Sequence, residues 1–153
     1  MALKVFDFED CVREGLLRRV PPSPNNADYS MTTACKWLKE AEKDFESGAF
    51  NSSILASYLA MFHAARALLF FDGFREKSHY CIARYLDEKY AKSGALEKRW
   101  IELLDHYREM RHSSQYDINF FTNRQEAENA LKNAKKFTDE MKILLEKRRR
   151  NSN

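Results

Sequence analysis

Glycine and proline are scarce in this chain, at 4 and 3 of its 153 residues. That removes much of the turn punctuation a many-stranded sheet needs. β-Branched residues are also few beside Ala, Leu, Lys and Glu, so the composition predicts an all-helical protein. Cysteine is sparse as well. Cys11, Cys35 and Cys81 stand far apart, without a Cys-x-x-Cys spacing, and an odd number cannot close a full disulfide set. The expectation is three small buried hydrophobes in a reducing cytoplasm. No apolar run opens the chain, because MALKVFDFEDCV carries acidic residues where a secretion signal needs a hydrophobic segment. The longest apolar stretch, Ile54 to Phe71, is broken by Ser57, His63 and Arg66. It reads as a central core helix, since a membrane span takes about 20 predominantly apolar residues with few charges. A phosphate-binding glycine loop, a serine-triad motif and any His, Cys or carboxylate grouping with ligand spacing are all missing, so neither a metal nor another cofactor is expected.

What is present fills one domain, with 44% hydrophobic residues for a core, 32% charged residues to solvate it and a net charge of +3. That charge permits contact with nucleic acid without announcing it. Phe8, Val12 and Leu16 repeat at helical spacing in a short first helix within residues 1–20. Pro21-Pro22-Ser23-Pro24-Asn25-Asn26 then ends it, and 21–27 read as a linker. A second helix from about Asp28 carries Met31, Ala34, Cys35, Leu38, Ala41 and Phe45 on one face and closes at Ser47-Gly48. A third runs from about Asn51 to Asp72 and stops at Gly73. Ile82, Tyr85, Leu86 and Tyr90 mark a shorter fourth, ending near Ser93-Gly94, and a fifth spans about Ala95 to Ser114. Thr122-Asn123-Arg124-Gln125 reads as a capping box. It opens a last helix with Ala127, Ala130, Leu131, Ala134, Thr138, Met141 and Leu145 on one stripe. The bundle thus covers 28–146, and 147–153 form a basic, solvated tail without strands anywhere in the chain.

Arg111 is the sharpest clue to function. On the fifth helix Trp100, Leu104, Tyr107 and Arg111 fall in one narrow sector, so a permanent cation continues the apolar stripe. An unpaired buried charge costs several kcal/mol, so Arg111 must meet a carboxylate, reach a subunit interface or line a site for an anion. His63 and Arg66, three apart on the central helix, support each other, a bound phosphate or simply the core. His79 follows Lys77-Ser78 where a fourth helix begins. Free amides and a lysine there can cradle a nucleotide or RNA phosphate, or Ser78 is a plain N-cap.

The stretch FNSSILASYLAMFHAARALLFFDGFREKSH, from Phe50 to His79, is nearly apolar all round and then turns polar. Together with WLKEAEKDF at Trp37 to Phe45 and RHSSQYD at Arg111 to Asp117, it resembles the prokaryotic branch of the HEPN domain family, over roughly Asp28 to Leu145. The resemblance implies an up-and-down bundle of five to six helices, commonly a homodimer. Many members are metal-independent ribonucleases or toxin partners of minimal nucleotidyltransferases. Their motif resembles Arg, a polar residue, three to five residues and then His, at the dimer interface. Arg111 matches the Arg and His112 the polar position, while Tyr116 stands at the first place the His could occupy. The family chemistry implies attack of a ribose 2′-OH on the adjacent phosphate, with Arg stabilising charge and His moving a proton. A phenol is a poor base at neutral pH unless its surroundings shift it, but it can donate a hydrogen bond to phosphate. The expected function is an RNA-directed nuclease or toxin with a nucleotidyltransferase antitoxin, and the alternative is a non-catalytic nucleotide- or partner-binding module.

Overall fold

The computed structural model describes residues 5–118 and 120–152. Six α-helices form a bundle: α1 (Phe8–Arg13), α2 (Pro24–Glu46), α3 (Phe50–Asp72), α4 (His79–Leu86), α5 (Lys98–Tyr116) and α6 (Arg124–Asn151). α3 sits at the centre, packed most extensively on α2 and α6 and also on α5 and α4. By length and composition α3 could cross a membrane, yet 67% of its apolar stretch is buried inside the bundle. Its hydrophobicity is therefore accounted for by neighbours. Small side chains, among them Ala34, Ala41, Ala56, Ala60 and Ala64, are buried on α2 and α3, and Ala41 and Ala56 cluster with Leu131 of α6. Two buried serines pin the first two of these helices together: Ser53 Oγ donates to Ala41 O and Ser30 Oγ to His63 O, each at 2.8 Å.

The predicted stripes of α2, α5 and α6 face the core. Trp100, Leu104 and Tyr107 are buried, as are Ala127, Ala130, Leu131, Ala134, Thr138, Met141 and Leu145. α3 ends at Gly73 as its sequence requires. Gly73 has φ 90°, and a Cβ there would stand 2.8 Å from Val20 O, so both backbone hand and close approach demand glycine.

Five features depart from the sequence reading. A two-stranded antiparallel ribbon pairs β1 (Leu17–Arg19) with β2 (Phe74–Glu76), in the register Leu17↔Glu76, Arg18↔Arg75 and Arg19↔Phe74. So short a ladder has no alternating pattern long enough to detect. α1 buries Asp10 and Cys11 and ends at Arg13, so of the predicted stripe Phe8 and Leu16 pack against the core, Leu16 from beyond the helix, while Val12 is 44% exposed. α2 begins within the expected linker: Ser23 Oγ accepts from Asn26 N, Pro24 takes the first turn, where its missing N–H costs nothing, and Ala27 is fully buried. α6 is capped by Asn123, whose side chain accepts from Glu126 N, and Thr122 Oγ1 instead donates to Glu126 Oε2. Finally, the basic run is helical to Asn151, with Arg148 and Arg149 paired to Asp72 and Asp28.

Cysteine pairing is also corrected. An odd count forbids a complete set but not one bond, and packing of α1 on α4 brings the Cys11 and Cys81 Cα atoms to 5.9 Å, where they form a disulfide. Cys35 is free. The cysteine argument for a reducing compartment therefore does not stand.

The C-terminal end of α3 is held by a polar hub. Asp72 Oδ2 accepts from Tyr85 Oη at 2.7 Å and Tyr90 Oη at 2.5 Å, while Oδ1 accepts from Arg148 Nε and Nη2 at 3.0 and 2.9 Å. Tyr90 belongs to a π-helical turn, Asp87–Ala91, that prolongs α4. One carboxylate thereby ties three elements, and it fixes the segment that leads into α4 and His79.

Candidate functional site

Arg111 lies in the last turns of α5, where the apolar stripe of Trp100, Leu104 and Tyr107 reaches the surface. It is half-buried. Its guanidinium sits 5.8 Å from the centre of the Tyr58 ring, and its Nε is buried without a hydrogen-bond acceptor. No carboxylate pairs with it among the described residues. The neighbouring arginines contrast with it: Arg66 pairs with Glu76 at 2.6 Å, Arg84 with Asp105, and Arg108 with Asp105 at 2.5 Å. Of the three reasons for placing a cation here, an intrachain ion pair is thus removed.

Arg111 lines an open cleft of about 500 Å³ with His79, Arg108, Glu109, His112 and Ser113. His79 enters from the first residue of α4. Its ring stacks on Phe62 with centroids 4.1 Å apart, and its Nδ1 is 2.9 Å from Tyr58 Oη. Burial pushes the Tyr58 phenol pKa up, so it stays protonated, and Nδ1 is its hydrogen-bond partner among the described residues. The phenol O–H donating to Nδ1 assigns the imidazole proton to Nε2. The His79 pKa is lowered to about 4, first by burial and then by the charges of Arg111, Arg66, His63 and Arg108. At neutral pH it is an uncharged donor set among cations.

Arg111 and His112, about 100° apart around the helix, nevertheless border one cleft, because the helix surface there is open and the cleft wraps its edge. His112 is exposed and its ring lies 4.8 Å from that of Tyr116. Tyr116 is 67% exposed and lines a neighbouring concavity with His106, Met110, Ile118 and Phe120. The structure therefore brings together Arg111, His112 and His79, with Tyr116 at the edge. Lys77 is not part of that cleft. It is exposed on the extension of β2, and its N–H donates to Leu16 O at 2.9 Å, so that amide is not free for an anion. Ser78 occupies the N-cap of α4 without a side-chain cap bond.

Arg108, Tyr58 and Phe62 escaped the sequence reading. Arg108 had a signal, since it stands three residues before Arg111 and so on the same helix face. The two aromatics had none, being indistinguishable from core residues until α4 is laid against α3. His63, lowered in pKa by burial and then by Arg66, is half-buried beside Arg66.

The fold and the cleft together define a helical bundle that carries arginines and imidazoles at the end of its fifth helix. The HEPN domain model matches residues 27–144. The chain belongs to the HEPN domain family. It is also 35% identical over 71 residues to the UPF0332 protein PH1297 of Pyrococcus horikoshii, a match covering 46% of this chain and 50% of that protein. The chain thus spans about half the length of the curated relative it matches.

Proposed function

We propose that this HEPN protein binds RNA phosphate at the Arg111 cleft and cleaves RNA there without a metal, as the toxin partner of a minimal nucleotidyltransferase. The observation that carries the reading is Arg111 itself, a half-buried cation with a buried unsatisfied donor and no paired carboxylate among the described residues, set beside two imidazoles, with Glu109 of the same cleft turned to Arg108 at 3.5 Å. A phosphate would supply the missing charge and acceptor. In the reaction, the ribose 2′-O bonds to phosphorus and the bond from phosphorus to the 5′-oxygen breaks, leaving a 2′,3′-cyclic phosphate and a 5′-hydroxyl. Arg111 neutralises the charge that grows on the phosphorane. His112, open to solvent, takes the 2′-OH proton and passes it to solvent, the departing 5′-oxygen takes up a proton from solvent to become the 5′-hydroxyl, and Nε2–H of His79 donates a hydrogen bond to a phosphate oxygen. Tyr116, which stands where the family motif has its histidine, orients the strand from the rim. A homodimer built through the α5 end would complete the site, and exposed Tyr116, Ile118 and Phe121 beside it supply apolar surface for that contact.

Purified protein in EDTA should cleave RNA, and Arg111→Ala should cost about 10²-fold or more in rate while the fold survives. Tyr116→Phe should spare cleavage if its role is confined to orientation, and His112→Ala should abolish it. One observation favours the second reading, a non-catalytic nucleotide- or partner-binding module: Tyr116 opens mainly into the neighbouring concavity. In that case no variant reveals cleavage, yet Arg111→Ala still weakens binding. If Arg111→Ala alters neither cleavage nor binding, both readings fail.

A further inference from the structure

The β1–β2 ribbon places two arginines directly opposite one another, Arg18 and Arg75. Side chains of directly opposed residues share a face, and like charges so placed destabilise a ladder. Lys77 continues the same face two residues beyond Arg75, because its N–H bond to Leu16 O extends the pairing. All three are exposed, and no carboxylate pairs with any of them among the described residues. Glu76, the one carboxylate of the two strands, turns inward onto Arg66 and is 8% exposed. The outer face of the ribbon therefore carries three cations without an ion pair among the described residues, two of them in a costly arrangement, and Arg18 Nε donates to Gly15 O at 3.4 Å.

This face adjoins a second hollow, of about 290 Å³, to which Arg75, Arg66, His63, Asn26 and Tyr29 contribute. Tyr29 is 73% exposed on the first turns of α2, an aromatic ring with nothing apolar to gain from that position. The hollow and the Arg111 cleft share a wall. His79, in the cleft, stacks on Phe62 at 4.1 Å, while His63, in the hollow, meets the same ring edge-on at 5.0 Å, and the Arg66 guanidinium lies 5.7 Å from it.

We infer that the ribbon face and the Tyr29 hollow form a second subsite for single-stranded RNA, with Arg18, Arg75 and Lys77 tracking the phosphates and Tyr29 stacking a base. This rests on the RNA reading of the Arg111 cleft and extends it along the surface. Aligned cations beside an exposed aromatic ring are the combination that holds a single strand without reading its sequence.

The test uses fluorescence anisotropy with 2′-O-methyl oligonucleotides, which lack the attacking hydroxyl, as a trinucleotide and a 12-mer. Arg18→Ala/Arg75→Ala should weaken the 12-mer about tenfold and lower its salt slope by about 1.4, two phosphates at about 0.7 each. Tyr29→Ala should weaken the 12-mer about fivefold or more. Trinucleotide affinity should hold in all of these, and thermal stability should not fall, because a like-charge pair has been removed. If the 12-mer and its salt slope are unchanged while Arg111→Ala weakens both oligonucleotides, the second subsite is wrong and the cleft reading stands. Should the ribbon variants weaken the 12-mer while Arg111→Ala leaves the trinucleotide unaffected, the subsite stands and the cleft reading falls. Wild-type protein that binds neither oligonucleotide overturns both.

Discussion

Replacing Arg111 by Met should make the protein more stable and functionally inert. Met keeps a long flexible stem against the Tyr58 ring while removing the charge and the donor. The gain has two parts. A buried donor left without an acceptor costs about 1–3 kcal/mol, and Arg111 Nε is one. Arg108, one turn earlier, adds like-charge repulsion of about 0.2–0.5 kcal/mol. Against these stands the cation held 5.8 Å over the Tyr58 ring, worth about 0.5–1 kcal/mol at a partly exposed site. The balance is about 1 kcal/mol of added stability, which for a chain of 153 residues raises Tm by roughly 2–4 °C. The same change should raise the His79 pKa, because Arg111 is the largest cause of its depression after burial. Thermal unfolding at pH 7 gives the first quantity and an NMR titration of the His79 ring the second. A loss of 2 kcal/mol or more with RNA binding intact would refute the reasoning, for it would mean that Arg111 braces the fold.

Asp72→Ala should destabilise by about 3–5 kcal/mol in urea unfolding, because it strands two buried phenols and Arg148 together; a loss below 1 kcal/mol would remove the hub from the account. Under denaturing conditions without reductant one thiol per chain, Cys35, should react with a thiol reagent, and three should react after reduction. Reduction should also cost about 2–4 kcal/mol, given a 70-residue separation between the bonded cysteines, and three reactive thiols at the outset would contradict the disulfide. Stability should fall as pH drops from about 6.5 to about 4, since over that window the unfolded chain protonates His79 and the native state does not. The contribution is fully present above pH 6.5 and amounts to about 1–2 kcal/mol once solvent screening of a half-buried ring is allowed for. His79→Gln should flatten this limb of the curve, and an unchanged slope would count against a neutral His79.

The long helices were legible because their hydrophobic period ran over many turns, and Gly48 and Gly73 marked where two of them stop. Residues governed by contacts distant in sequence were not. Nothing local separates Leu17-Arg18-Arg19 from a coil until β2 lies beside it. Cys11 and Cys81 are 70 residues apart and meet only once α1 is laid on α4. The Thr122 cap failed by one residue because Asn123 offers the first-turn amide an equally good acceptor.

At the site, Arg111 was legible for the reason that makes it interesting. A local rule, that a bundle stripe should be apolar, is broken there without a local remedy, and Trp100, Leu104 and Tyr107 show that the stripe is otherwise obeyed. Arg66, Arg84 and Arg108 obey a different rule, since each finds a carboxylate. His79 was legible only as a residue near a helix start, and of the main-chain amides there that of Lys77 is given to Leu16. What the sequence could not supply was the angle at which α4 meets α3 and α5. That angle puts the imidazole on Phe62, its Nδ1 against Tyr58 and its ring in the Arg111 cleft. Among the described residues, a half-buried cation without a paired carboxylate and a histidine held neutral by burial border one open cleft. The histidine has its partners in Phe62 and Tyr58, so the charge of Arg111 is the feature that packing does not account for, and it is the ground of the functional proposal.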